Sequence, residues 1–558
     1  MRNKTLLIFF AFLLAALGVI ASDTIKQWQV YEIKLTARKL QEHPYLLVPV
    51  DGSKDFVYAT FKGISGDANG KTITVAGFWD GGKDWKIRFA PPLCGQWQYN
   101  TTSTDKGLNN MKGSISVTAW NENEKHENST RRGFVQVKRD GENAGHYFAY
   151  ADGTPFLWIA DTWWNWTDKR LEFSAFRNLV DDRSAKGFNI GQLFVAANGW
   201  SRNSSLLDET YTVPNIGQIQ KVDALIAYAN SKGITVWIHG WWSRKNLNET
   251  AGDEKMKRWW HYLINRYAAY NVMWVVAGEY NMDTYGGFPL SFWKELGQFI
   301  KDKDPYHRIV GVHNTPPGWE GGAGAPQWST VEKLHNESWL DYNQSQVGHG
   351  KWYNEMIPQV VSEAYNKTPS KPIVVTEPWY EFIEGSAPAM DIRFGAWSSI
   401  LSGAAGHTYG GGHVWPAYTA KTPDVVGDVW PLDKDTTINT LGYPGARSMS
   451  YLANFFKRLQ WWNLSPHPEL LNEYPDKYCL AKPGEEYVIY LRYAGGVKVD
   501  LRPSSANDRF EYHWFDPGSG KSDPSNEIHG GEVHFFSAPE SYPGVRDFKD
   551  WVLYIRKK

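Results

Sequence analysis

From Phe134 onward the chain alternates short apolar runs with stretches of helical period, and the alternation repeats eight times. The runs are Phe156–Ala160, Asn189–Ala196, Thr235–Gly240, Val272–Ala277, Arg308–Val312, Leu340–Gln346, Ile373–Thr376 and Gly406–Tyr409. Between them lie helix candidates such as Arg170–Lys186, Gln218–Lys232, Asp253–Tyr270, Pro289–Lys303, Trp352–Tyr365 and Ala387–Ser402, whose apolar residues recur three and four positions apart. Strands separated by helices pair in parallel and are buried on both faces, so they read as continuous apolar runs. Eight such units predict a (β/α)8 barrel with loop insertions. An open doubly wound sheet would need a Gly-x-Gly-x-x-Gly turn after an early strand, and none stands there.

On either side the rhythm changes. Residues 27–118 carry short β-rich runs, among them Val57–Phe61, Thr72–Trp79 and Trp85–Ala90, punctuated by Gly, Asp, Asn and Pro; this spacing predicts a β-sandwich. Asn121–Arg132 is polar throughout and reads as a linker. Beyond Phe455 the runs Tyr487–Tyr493, Gly496–Leu501, Phe510–Phe515 and Trp551–Arg556 predict a second small β-domain. The fold class is therefore α/β, a central TIM barrel flanked by N-terminal and C-terminal β-sandwiches. The expected boundaries are 23–120, a linker over 121–133, the barrel over 134–454 and the last domain over 455–558.

Composition narrows the partners. A chain of 558 residues with a formal net charge of -1 has no basic stripe for nucleic acid and no acidic tail. Its 29 Trp and 30 Tyr exceed what core packing alone requires, and flat aromatic faces stack on the apolar C–H faces of sugars. Met1–Ser22 reads as a secretory signal: Arg2 and Lys4 lead an apolar stretch, Leu6–Leu17, too short to span a bilayer. A secreted or periplasmic protein is expected, with no membrane span after cleavage. Cys94 and Cys479 are the only cysteines, so no disulfide framework is present.

Two carboxylates stand where apolar runs turn polar: Glu279 ends Val272-Met-Trp-Val-Val-Ala-Gly, and Glu377 ends Ile373-Val-Val-Thr. On the fourth and seventh strands of a barrel, both project at the C-terminal face, where such barrels keep their chemistry. Two carboxylates facing one cleft are the minimum for glycoside hydrolysis. In barrel glycosidases the strand-four carboxylate is commonly the acid/base and the strand-seven one the nucleophile, which would make Glu279 the donor and Glu377 the nucleophile. The other strand ends are polar or aromatic too, and form one rim. Asp161, Trp163 and Trp164 follow strand one, Asn198 and Trp200 strand two, His239 and Trp242 strand three. Asn281 follows strand four, His313 strand five, His349 strand six, Trp379, Tyr380 and Glu381 strand seven, and His407, Tyr409 and Trp415 strand eight. These are the expected substrate contacts. The histidines lack the His-Glu-x-x-His spacing of a zinc site, so neither metal nor cofactor is expected. No Gly-x-Ser-x-Gly elbow appears.

The central region, roughly Phe134 to Tyr451, resembles the apiosidase-like family of glycoside hydrolases. The family's strand-one pattern is matched by Leu157-Trp-Ile-Ala-Asp161-Thr-Trp-Trp164, its strand-seven Glu-Pro-x-Tyr-Glu by Glu377–Glu381, and its final Gly-His-Thr-Tyr-Gly…Val-Trp by Gly406–Gly410 and Val414-Trp415. The flanking regions resemble a β-sandwich module found ahead of such barrels and a collagen-binding-like module found behind them. The resemblance implies catalytic carboxylates at strands four and seven, hence Glu279 and Glu377. It also shows a departure: the family has Gly-Gly-Asp at strand four, and this chain has Ala277-Gly278-Glu279, one methylene longer. Apiosidase activity is therefore not carried over. The expectation is a glycoside hydrolase acting on a poly- or oligosaccharide with retention, the alternative a non-catalytic carbohydrate-binding or adhesion protein on a degenerate barrel.

Overall fold

The computed structural model describes residues 23–197, 203–282, 287–318, 327–383, 387–424, 439–471, 475–539 and 549–558. The stretch read as a secretory signal lies outside them, as do Asn198 and Trp200. Eight parallel strands form the centre: β1 (Trp158–Trp163), β2 (Ile190–Phe194), β3 (Thr235–His239), β4 (Val272–Val275), β5 (Val310–Gly311), β6 (Asn343–Gln346), β7 (Ile373–Glu377) and β8 (Gly406–Tyr409). They pair in chain order, with β8 closing back on β1, and only β5 and β6 share no ladder. The Asn314 side chain bridges that seam, its Oδ1 accepting from Gln346 N at 3.0 Å. The barrel is nearly closed, with helices such as Phe173–Ala185, Ile216–Ser231, Leu290–Lys303 and Ala389–Leu401 outside.

Barrel side chains alternate inward and outward along each strand. At the N-terminal end, the inward Trp158, Ala160, Ile190, Trp237, Met273, Val275 and Val374 make one apolar layer with Tyr342. A small antiparallel sheet, Val135–Val137, Phe148–Tyr150 and Pro155–Phe156, caps that end; Phe148 meets Trp158 at 5.7 Å and Tyr342 at 5.5 Å. The bottom of the barrel is a sealed core, so its polar groups are left for the top.

The N-terminal domain packs a five-stranded sheet on a three-stranded one, with Phe61 stacked on Phe89 at 3.8 Å between them. It is pinned to the barrel by buried charge. Arg88 Nη2 donates to Asp223 Oδ2 at 2.7 Å, and Arg266 donates to both Asp223 and Asp80, also at 2.7 Å. The C-terminal domain is a mainly antiparallel β-structure built around Lys477–Lys482, Glu486–Leu491, Arg509–Asp516 and Trp551–Lys557.

The stretch read as a linker is ordered. Asn121 and Glu124 form a capping box on helix Glu122–Glu127, and Asn128 Nδ2 donates to the carbonyls of Asn230 and Ser231 at 2.9 and 3.1 Å. Polar contacts, not apolar burial, hold this connection, which is why its composition suggested a free linker.

Candidate active site

At the C-terminal end of the barrel the inward residues become polar and aromatic: Thr162, His239, His313, Gln346 and Glu377, with Glu279 just past β4. Glu279 has the left-handed backbone φ of 47°, uncommon for a residue with a Cβ, and follows Gly278. A Cβ on Gly278 would lie 2.2 Å from the Trp242 ring, so only glycine lets the indole cross this backbone. That crossing brings Trp242 Nε1 to Glu279 Oε2 at 2.9 Å. Gln346 Nε2 donates to the other oxygen at 3.2 Å.

Glu377 has different company. His313 Nε2 lies 3.0 Å from its Oε2 and His349 Nε2 lies 3.3 Å from its Oε1. An ionised carboxylate only accepts, so both imidazoles present N–H to it. His313 Nδ1 faces Thr376 Oγ1 at 3.2 Å. Tyr380 directs its hydroxyl at Glu377 and accepts from Trp164 Nε1 at 3.2 Å.

The two carboxylates are both nearly buried, 8% and 6% exposed, yet their protonation is biased in opposite directions. Burial, then the negative charge of Glu377, raises Glu279 to about 7. Burial would also raise Glu377, but the bonds from His313 and His349 outweigh it and hold that carboxyl at about 2. Near neutral pH Glu279 is still partly protonated while Glu377 is an anion, the division of labour acid–nucleophile chemistry needs.

Below the pair, aromatic rings form the walls. Trp164 stands edge-on to Trp242, His239 and His313, with centroids 5.2, 4.7 and 6.0 Å away. His239 is fully buried, neither ring nitrogen has a protein partner, and burial with the nearby His313 pushes it well below its ordinary value. Trp379 and Trp415 join Trp164, Trp242 and Tyr380 in one cluster, leaving 8% and 6% of their surface exposed. Asn281 is 1% exposed and its Oδ1 accepts from Thr315 N at 2.8 Å, tying the loop after β4 to the one after β5.

Five expected contacts face away from this recess. Asp161 is fully buried on the outer side of β1, where Arg183 Nε and Trp163 Nε1 donate to its Oδ2 at 2.6 and 2.9 Å. Trp163 lies outside too, its ring against Gly191. On β8, His407 points to the helix side, with Nδ1 3.1 Å from Ser399 Oγ, and burial lowers it to about 3. Tyr409 Oη donates to Glu381 Oε2 at 2.7 Å, and the other Glu381 oxygen accepts from Gly445 N at 2.8 Å, at the start of helix Pro444–Phe456. Glu381 is thus a helix-terminus anchor. The reason is the period of two: Asp161 and Trp163 flank the inward Thr162, and His407 and Tyr409 flank the inward Thr408. Conversely, Gln346 and Thr376 touch the site and were not among the expected contacts. Their signal was available in part, since each stands at the polar end of its strand.

Residues 142–463 match the family model "Apiosidase-like, catalytic domain". Residues 24–104 match "Domain of unknown function (DUF5060)", and residues 469–556 match "Putative collagen-binding domain of a collagenase". No curated protein matches the sequence. Among solved structures, a chain from Bacteroides vulgatus ATCC 8482 described as a "putative glycoside hydrolase" superposes with a TM-score of 0.70 at 16% identity, covering 96% of this chain and 100% of its own. A glycoside hydrolase family 5 structure from the same organism gives a TM-score of 0.64 at 19% identity, covering 77% of this chain and 94% of its own. A third, described as a glycoside hydrolase, gives 0.64 at 20% identity, covering 77% and 98%. At these identities the likeness concerns the fold.

Proposed function

Since the chain belongs to the apiosidase-like family of glycoside hydrolases, we propose that it cleaves a poly- or oligosaccharide with retention, Glu279 serving as acid/base and Glu377 as nucleophile. The observation that carries this reading is the pair of buried carboxylates at the strand ends, Glu279 held by Trp242 and Gln346 and Glu377 held by His313 and His349, surroundings that bias their protonation in opposite directions. In the first step a Glu377 oxygen bonds to the anomeric carbon as the glycosidic C–O bond breaks, and Glu279 gives its proton to the leaving oxygen. In the second, Glu279, now ionised, takes a proton from water; that water's oxygen attacks the anomeric carbon and releases Glu377. His313 and His349 hold the nucleophile anionic and oriented, while the walls formed by Trp164 and Trp242 exclude bulk water. Export directed by residues 1–22 belongs to the same proposal.

The test is reducing-sugar release from a panel of plant, bacterial and algal polysaccharides by the wild type, Glu279→Gln and Glu377→Gln. Loss in both variants supports the pair; turnover that survives both sinks it. The anomer first released, read by proton NMR, decides retention against inversion. Binding without turnover by the wild type would favour the adhesion alternative.

A further inference from the structure

We propose that Gln346 is a positioning residue whose side-chain amide turns over as Glu279 changes charge, offering its oxygen to the protonated carboxyl and its N–H to the ionised one. This rests on the acid/base role given to Glu279 above and adds how one group is supported in both of the states that role demands.

In a double displacement the acid/base is protonated when the glycosidic bond breaks and ionised when water attacks. A fixed donor beside it supports only the ionised state, and a fixed acceptor only the protonated one. The two neighbours of Glu279 differ in this respect. Trp242 Nε1 lies 2.9 Å from Oε2, and an indole N–H can only donate. It favours Oε2 as the carbonyl oxygen of the acid and leaves the proton to Oε1, the oxygen that Gln346 Nε2 reaches at 3.2 Å. A carboxyl proton on Oε1 and an amide N–H would be two donors face to face. An amide carries an acceptor beside its donor, so a half-turn about its last bond replaces that clash with a hydrogen bond.

The surroundings leave the half-turn open. Gln346 is 1% exposed, and its Oε1 has no hydrogen-bond partner among the described residues, so no other bond fixes which end faces the carboxyl. The last torsion of a glutamine is broad and roughly two-fold. The main chain is meanwhile held: Gln346 N donates to Asn314 Oδ1 at 3.0 Å, and the Gln346 carbonyl accepts from Asn314 Nδ2 at 3.3 Å. Glu377 on β7 and His313 after β5 are the ionisable groups that act on Glu279 from the other strands, and His349 faces Glu377. Over one turnover the Oε1 proton passes to the leaving oxygen and the amide turns its N–H to the new carboxylate. A proton from water then returns to Oε1, and the amide turns back.

The experiment is neutron diffraction from deuterium-exchanged crystals of the full chain at about pH 5 and about pH 9, on either side of the Glu279 titration, beside carbon-13 NMR of the Glu279 carboxyl in wild type and Gln346→Met. At the lower pH a deuteron is expected on Glu279 Oε1 with the amide oxygen facing it; at the higher pH the deuteron is gone and the ND2 group faces the carboxylate. Gln346→Met should move the Glu279 midpoint by less than about half a pH unit, because both charge states lose one bond, whereas loss of a fixed donor would raise it by about one unit. If Gln346→Met does not fold, the diffraction arm decides alone. One amide orientation at both pH values while the deuteron comes and goes overturns the turning amide and leaves the acid role standing, as does a rise of about a unit in Gln346→Met. A Glu279 without a deuteron at either pH strikes the acid role and the turning amide with it.

Discussion

Replacing Glu377 with glutamine should make Glu279 a stronger acid. Glu279 sits at about 7 against an ordinary 4.5, a difference on the order of 3 kcal/mol between its two protonation states. Burial is the larger cause and the Glu377 charge the next. Glutamine keeps the volume at 377 and its amide oxygen can still accept from one of the two histidines, but it carries no charge. The Glu279 carboxyl should therefore fall by on the order of one pH unit, with burial keeping it above its ordinary value. At pH 7 its protonated fraction then drops from about a half to about a tenth. In the wild type, kcat/KM should decline as pH rises through about 7, because the acid loses its proton. The opposite limb, near 2 where Glu377 protonates, lies in the range of acid unfolding. Carbon-13 NMR of the Glu279 carboxyl reads the titration directly in wild type and in the inactive Glu377→Gln. A wild-type midpoint near 4.5, or one that Glu377→Gln leaves in place, would refute the coupling and the acid role built on it.

The raised Glu279 has a stability signature as well. Its protonated form is favoured by the fold, so its contribution is complete below about 4.5 and is lost as pH rises through about 7, amounting to about 3 kcal/mol; denaturant melts of Glu279→Gln against wild type should show the variant gaining by that order between pH 5 and pH 8, and a pH-independent difference would contradict it. Gly278→Ala drives a methyl into the Trp242 ring and should break the Trp242–Glu279 bond, costing about a hundredfold in kcat with a shift in tryptophan emission; near-normal turnover would mean the crossing is loose. Asp223→Ala leaves Arg88 and Arg266 buried without their shared carboxylate and should cost about 3–5 kcal/mol, read by urea unfolding, whereas a loss under 1 kcal/mol would show that the N-terminal domain is held by its apolar contacts instead.

The architecture was written in the order and period of apolar runs. Most of the eight strands were legible because buried parallel strands are usually apolar on both faces, although β6 is Asn-Gln-Ser-Gln and β8 Gly-His-Thr-Tyr, and the two glutamates because they stand where apolar runs end, at the end where a barrel opens. Period alone could also have separated Thr162 from Asp161 and Trp163, but the strand register that decides which parity faces inward is a property of the closed barrel. Other facts had no local signal at all. Arg183 neutralises Asp161 from a helix, His313 and His349 reach Glu377 from two other strands, and the indole of Trp242 crosses Gly278 to meet Glu279. The identity of the candidate acid and nucleophile thus belongs to the sequence, and their opposite charge states belong to the tertiary structure, because a carboxyl's proton affinity is set by burial and by neighbours that only folding brings within a few ångströms.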